Sequence, residues 1–216
     1  TGSPVEMPWI DEVNAVVWGW YAGMEGGNAL ADILSGKIVP SGKMPFTLPF
    51  KYEDCPVARY GEHKAGDCKY NEDIFVGYRG YDKLKRMVQY PFGYGLSYTT
   101  FEISDMKVSA QQADGSVDVS YTLSNTGTRD GAQVVQLYIG KTSESPVERP
   151  IKELKNYAKT ALKAGESATV TLNLPKSAFT YYNTDEHDFV YDPGTYNIML
   201  GFSSRDIMQE SSITMP

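Results

Sequence analysis

The chain has 216 residues, 41% of them hydrophobic and 22% charged, with a formal net charge of −7 and a pI near 4.9. This is an ordinary globular balance, long enough for one large domain or two modest ones. The acidic excess argues against a nucleic-acid partner, which needs a basic face, and no apolar run approaches the roughly 18–20 residues that cross a bilayer.

Thr1-Gly2-Ser3-Pro4-Val5 carries neither a basic nor an apolar leader pattern and no initiator Met, so the chain is expected to be a piece of something longer. Residues 13–20 (VNAVVWGW) read as a buried parallel strand, apolar on both faces. A glycine-rich turn follows, then a helix over 28–36, with Asn28 as N-cap and Gly36 as the stop. Strand, turn and helix make one βα unit. One unit cannot bury both faces of its strand, so its sheet partners are expected elsewhere.

Pro40, Pro45 and Pro49 keep residues 38–50 extended. Residues 51–90 are polar and irregular apart from a strand-like run at 74–81. A connector this long usually packs on a neighbour or carries function. Beyond it, strand-like runs occur at 101–110, 116–124, 133–139, 168–174, 179–182 and 196–202, separated by turn signals such as Asp114-Gly115, Asn125-Thr126-Gly127 and Asp192-Pro193-Gly194. Short strands at this spacing predict an antiparallel immunoglobulin-like sandwich. The lack of cysteine there points to a fibronectin type III-like form.

Six ordered segments carry a resemblance to a known family. Residues 20–36 (WYAGMEGGNALADILSG) and 40–49 (PSGKMPFTLP) resemble the end of the second domain of family 3 glycoside hydrolases, the β-glucosidase group. Residues 74–82 (IFVGYRGYD) and 91–101 (PFGYGLSYTTF) resemble the family's next two signatures. Residues 131–139 (GAQVVQLYI) and 149–155 (RPIKELK) are similar to its fibronectin-like domain. The resemblance implies a mixed fold: residues 1–50 end an α/β sandwich domain, 51–100 connect, and 101–216 form the fibronectin type III-like domain. It also implies a retaining exo-acting β-glycosidase acting on terminal β-D-glucosyl residues, periplasmic or extracellular, needing no cofactor. Such chemistry uses two carboxyl groups about 5–5.5 Å apart. In the family both lie upstream of these segments, so neither transfers to any position of this chain, which alone is expected to be inactive. Its substrate, a β-linked oligosaccharide or glucoside, and the N-terminal catalytic domains would be its partners, without nucleic acid or membrane.

Glu25, after the expected strand and before the helix, is a candidate for the rim of a sugar site, with Trp20 and Tyr21 beside it. The plainer reading places Glu25 against the helix N-terminus, Trp18 in the core and Trp9 against the sheet. Glu72, Asp73, Arg79 and Asp82 are read either as a polar clamp or as ion pairs holding the connector; the second is preferred. In residues 91–98 the Gly-x-Gly lacks a third glycine and a following helix, which excludes a phosphate loop. Cys55 and Cys68 would close a small disulfide loop in an oxidising compartment and stay as thiols otherwise. With only His63 between them, they make no metal site. His63 and His187 are expected at the surface.

The chain holds 16 Tyr and 3 Trp. Aromatic rings stack on sugars, but Tyr is also a common strand residue. The piece is therefore expected to be a buttress for catalytic domains. The alternative is a non-catalytic carbohydrate-binding or adhesion module, which an exposed planar row of Tyr or Trp would support. A third reading keeps the enzyme but changes the sugar, as in a β-xylosidase or another exo-glycosidase.

Overall fold

Backbone polar groups need partners, and the two parts of this chain find them differently. The structure, a computed structural model, describes residues 2–60, 62–64 and 67–216, the side chains of 59–68 excepted. It divides into two units, Thr1–Tyr98 and Thr99–Pro216, taken separately below. Among the described residues no helix is long and apolar enough to cross a membrane.

In the first unit regular structure is sparse. It holds α1 (Gly26–Leu34), α2 (Pro56–Tyr60), an antiparallel pair β1 (Glu62–Lys64) and β2 (Asp67–Lys69), and α3 (Tyr78–Lys83). Helix α1 begins two residues before the expected Asn28 cap. Glu25 occupies the N-cap position without a side-chain bond to the backbone. Asn28 instead sits in the first turn and its amide donates to the Glu25 carboxylate at 2.6 Å. The helix stops at Gly36, φ +74°, with Ile38 N–H closing onto Asp32 C=O at 3.0 Å.

Two expected strands are absent. Residues 13–20 form none, and Val13, Val16 and Val17 are exposed. An apolar parallel strand is held by neighbours on both edges, and the described chain supplies neither. Residues 74–81 also form no strand. Gly77 takes φ +55°, ψ −139° and turns the chain into α3, a bend that an extended run cannot contain. The proline-bearing segment is extended as expected and lies along residues 89–94: Met44 N–H donates to Tyr94 C=O (2.8 Å), Gly93 N–H to Met44 C=O (2.7 Å) and Leu48 N–H to Tyr90 C=O (2.8 Å). Gly95 must be glycine, since a Cβ would lie 2.3 Å from the Gly42 carbonyl oxygen.

The second unit is an antiparallel sandwich. Its strands are β3 (Phe101–Val108), β4 (Val117–Asn125), β5 (Gly131–Lys141), β6 (Glu153–Leu162), β7 (Ser167–Leu174), β8 (Thr180–Asn183), β9 (Asp188–Tyr191), β10 (Gly194–Ser203) and β11 (Asp206–Met215). Among the described residues one sheet runs β11-β10-β5-β6, the other β3-β4-β7, and β8 pairs β9 in a separate hairpin. Strand β4 shows the pattern most plainly: Val117, Val119, Tyr121 and Leu123 alternate into the core. Across from them pack Val135, Leu137 and Ile139 of β5 and Tyr196, Ile198 and Leu200 of β10. Three strands of this unit escaped the sequence reading: β6, β9 and β11. The two long ones are the edges of the four-stranded sheet, where polar and charged residues blunt the strand signal.

Side-chain amides close those edges. Gln209 of β11 accepts from Met106 N–H at 3.0 Å and donates to Ile103 C=O at 3.2 Å, spanning the irregularity in β3 between Ser104 and Lys107. Asn156 of β6 donates to Asn173 C=O of β7 at 2.8 Å.

Two core tyrosines give testable consequences. The Tyr121 hydroxyl is buried with no hydrogen-bond partner among the described residues, and burial pushes its pKa up. Tyr121→Phe removes an unsatisfied polar group, so stability is expected to rise by about 1 kcal/mol in urea titration. Tyr196 differs: its hydroxyl donates to Asp192 C=O, and burial, then the Asp192 charge, push its pKa up to about 12. The folded chain therefore keeps a proton that the unfolded chain sheds near pH 10. The stabilisation is full below pH 10 and disappears as pH rises through 12. The urea midpoint of the sandwich should fall steeply over that window, and less steeply in Tyr196→Phe.

Candidate functional site

The residues 20–25 region, where a rim was expected, is built on aromatic contacts. Trp18, Trp20 and Phe46 pack edge to face in a trio, with centroids 5.9 Å (Trp18–Trp20), 5.7 Å (Trp18–Phe46) and 5.2 Å (Trp20–Phe46) apart. Trp18, expected in the core, is only half-buried, though its indole N–H is covered and lacks a partner among the described residues. Trp20 is exposed and takes φ +51°, a left-handed backbone uncommon for a bulky residue. Tyr21 is 84% exposed and Trp9, expected against a sheet, is exposed as well. The Glu25 carboxylate accepts from the Asn28 amide and makes no capping bond to the backbone N–H groups of α1.

The residues 72–82 charges do not present one face. Glu72 and Asp82 are buried while Asp73 is exposed. Glu72 is 4% exposed, and one of its oxygens has no partner among the described residues. Arg79 and Asp82 both take part in interactions. The residues 91–98 loop is an aromatic anchor within its unit: Phe92 stacks on Tyr78 at 5.1 Å, Tyr94 lies 4.8 Å from Tyr90, and the Tyr98 hydroxyl donates to Ile33 C=O at 3.0 Å. Leu96 of the same loop is exposed. The Tyr81 hydroxyl donates to Cys55 Sγ at 3.3 Å; burial first, then Cys55, pushes the Tyr81 pKa up. Of the two cysteines, Cys55 is a half-buried free thiol; the side chains of Cys68 and His63 lie outside the described residues. His187 is at the surface, in the turn between β8 and β9.

Residues 1–98 match the family model of the glycosyl hydrolase family 3 C-terminal domain, and residues 133–204 match that of the fibronectin type III-like domain. The chain belongs to glycosyl hydrolase family 3. It is 46% identical over 213 residues to the β-glucosidase BoGH3A of Bacteroides ovatus, covering 96% of this chain and 28% of that protein. It is 39% identical over 208 residues to an exo-α-(1→6)-L-arabinopyranosidase of Bifidobacterium breve, covering 96% and 27%. Its structure matches the crystal structure of the Kluyveromyces marxianus β-glucosidase in complex with glucose, with a TM-score of 0.91 at 44% identity, covering 100% of this chain and 25% of that one. This family 3 chain thus spans about a quarter of the length of its relatives.

The fibronectin type III-like unit of this family 3 chain also holds a buried charge cluster that the sequence reading did not single out. Asp192 lies in the turn before β10. One carboxylate oxygen meets Lys141 Nζ at 2.8 Å. The other accepts from Arg149 at 2.7 Å and from the Ser145 hydroxyl at 2.8 Å. Arg149 also donates to Thr180 C=O at 3.1 Å and reaches Glu153 at 3.5 Å. Lys141 sits 4.9 Å above the Tyr196 ring and donates to Pro193 C=O. Lys141 and Arg149 converge on Asp192, Arg149 and Lys155 on Glu153, and the cluster pins the residues 142–152 connection to the turn before β10. Arg149-Pro150 and Asp192-Pro193-Gly194 were legible as a motif and a turn; only the fold brings them together.

Proposed function

We propose that this chain is the C-terminal portion of a retaining, exo-acting β-glycosidase that removes terminal β-D-glucosyl residues from a β-linked glucoside or oligosaccharide. In this reading the portion buttresses catalytic domains and breaks no bond itself. The observation that carries it is the 46% identity across 96% of this chain to a β-glucosidase of which it spans 28%. Trp20 and Tyr21 are proposed to border the substrate site in the longer protein, and that protein to be periplasmic or extracellular.

The arabinopyranosidase relative favours a second reading, in which the enzyme class holds but the sugar differs, because this part of the family recurs with another glycoside specificity. The test has two arms. The 216-residue chain alone is expected to release no 4-nitrophenol from aryl β-glucosides above a control preparation. A longer protein containing it is assayed on aryl β-glucoside, β-xyloside and α-L-arabinopyranoside. The highest kcat/KM on the β-glucoside supports the leading reading, and turnover by the chain alone overturns it.

A further inference from the structure

A shallow cleft of about 240 Å³ opens on the sandwich, lined by residues 111–115 between β3 and β4, by Lys176, by Tyr191 at the end of β9 and by Pro216. The loop that forms it is internally braced. Gln111 donates to Gly115 C=O and to the Tyr191 hydroxyl, each at 3.4 Å. Gln112 donates to Asp118 at 2.8 Å. One Asp114 oxygen accepts from Ser116 N–H at 2.9 Å and from its hydroxyl at 2.7 Å. The Lys176 ammonium lies 5.1 Å above the Tyr191 ring.

This lining selects a ligand class by elimination. It is polar, so it offers little to an apolar molecule. Its one cation shares the cleft with a carboxylate, so it does not favour an anion. Amide carbonyls and a carboxylate that accept, beside an ammonium that donates, match a ligand whose groups do both, as vicinal hydroxyls do. The volume falls below the roughly 300–1,000 Å³ of sites for drug-sized ligands, which suits one small ring. The surface continues along the hairpin. Tyr191 pairs Thr180 and Phe189 pairs Tyr182, so Phe189 shares a ribbon face with Tyr191, about 7 Å further along at two residues per repeat. Phe189 is 67% exposed and sits 5.4 Å from Tyr182 at 74°. That angle rules out a flat platform for a polymer face but leaves one ring free to cover the C–H face of a sugar.

We propose that this cleft is a glycan site on the fibronectin type III-like unit, holding one pyranose ring among Gln111, Gln112, Asp114, Lys176 and Tyr191, with the next ring of an oligosaccharide against Phe189. It requires no catalysis by this chain, so its failure would leave the proposed function standing, and the reverse. The test is a titration of the ¹⁵N-labelled 216-residue chain with glucose, cellobiose and sodium phosphate, followed by amide shifts. Saturable shifts in the millimolar range are expected at residues 111–115, 176 and 189–191 with both sugars. Cellobiose should bind about tenfold more tightly than glucose. Lys176→Ala should weaken both sugars about tenfold with an unchanged Tm, Gln111→Ala gives an independent reading on the same wall, and Phe189→Ala should cut cellobiose to the affinity of glucose. Absent shifts, shifts elsewhere, or the same shifts with phosphate would overturn the proposal.

Discussion

Asp192→Ala lowers the stability of the Thr99–Pro216 unit by about 3–5 kcal/mol, the cost of leaving buried cations without their counter-charge. The Lys141 side chain is 1% exposed and meets Asp192 at 2.8 Å, and the Arg149 guanidinium is nearly as covered. Neither can regain water without moving the residues 142–152 connection that carries Ser145 and Arg149. The Lys37–Asp32 pair has a similar distance, 3.0 Å, but Lys37 is 72% exposed; screened by solvent, it is worth under about 1 kcal/mol. Burial rather than distance separates the two. A domain is held by only about 5–15 kcal/mol, so Asp192→Ala brings the sandwich close to unfolding.

Asp192→Asn keeps the shape and an acceptor for Ser145 but not the charge, and most of the loss is expected to remain. Ser145→Ala, which removes one neutral donor, should cost about 1 kcal/mol. All three Trp precede residue 99, so indole fluorescence is silent for this unit and its urea transition is read from the β-sheet circular dichroism. A loss below about 1 kcal/mol for Asp192→Ala would mean the cluster holds no more than a surface pair does.

The sandwich was legible in the sequence because its inner strands are driven by burial on one face. In β4, Val117, Val119, Tyr121 and Leu123 are each 0–1% exposed, and period-two alternation is what half-buried backbone writes into a sequence. Edge strands obey a different demand. Tyr157 of β6 and Met208 of β11 are exposed, while Asn156 and Gln209 are spent on bridging backbone groups across the sandwich edges, so hydrophobic period carries little of their identity. Residues 13–20 failed for the opposite reason. Their composition is that of a strand buried on both faces, but strand geometry requires partner strands, and composition cannot supply them. The rim candidates follow the same logic. Glu25 was found by its place before a helix, yet the Asn28 amide that engages it became visible only once the helix was seen to start at Gly26. The Asp192 cluster and the Gln111–Tyr191 cleft join positions far apart in the chain that no local pattern relates.

Asn125→Leu is expected to destabilise the sandwich by about 4 kcal/mol, although the replacement is apolar and of similar size. Asn125 ends β4 and is 1% exposed. Its side-chain oxygen accepts from the Thr99 hydroxyl at 2.7 Å and from Gly127 N–H at 3.2 Å. Its amide donates to Arg129 C=O at 2.7 Å and to Leu162 C=O at 3.2 Å. One residue thus satisfies the 125–129 turn, the end of β6 and the start of the unit at Thr99. Leucine removes the amide but leaves four groups that were its partners, and each one still buried costs about 1–3 kcal/mol. Water reaching the turn at Arg129 and Gly127 offsets part of that sum. Asn125→Asp discriminates between packing and hydrogen bonding: it keeps both acceptor bonds, loses both donor bonds and sets a carboxylate against two carbonyl oxygens. It should therefore destabilise strongly at neutral pH and recover as pH falls and the carboxyl protonates, whereas Asn125→Leu should show no such recovery. A leucine variant within about 1 kcal/mol of the parent in urea titration would show that this turn is held by packing alone.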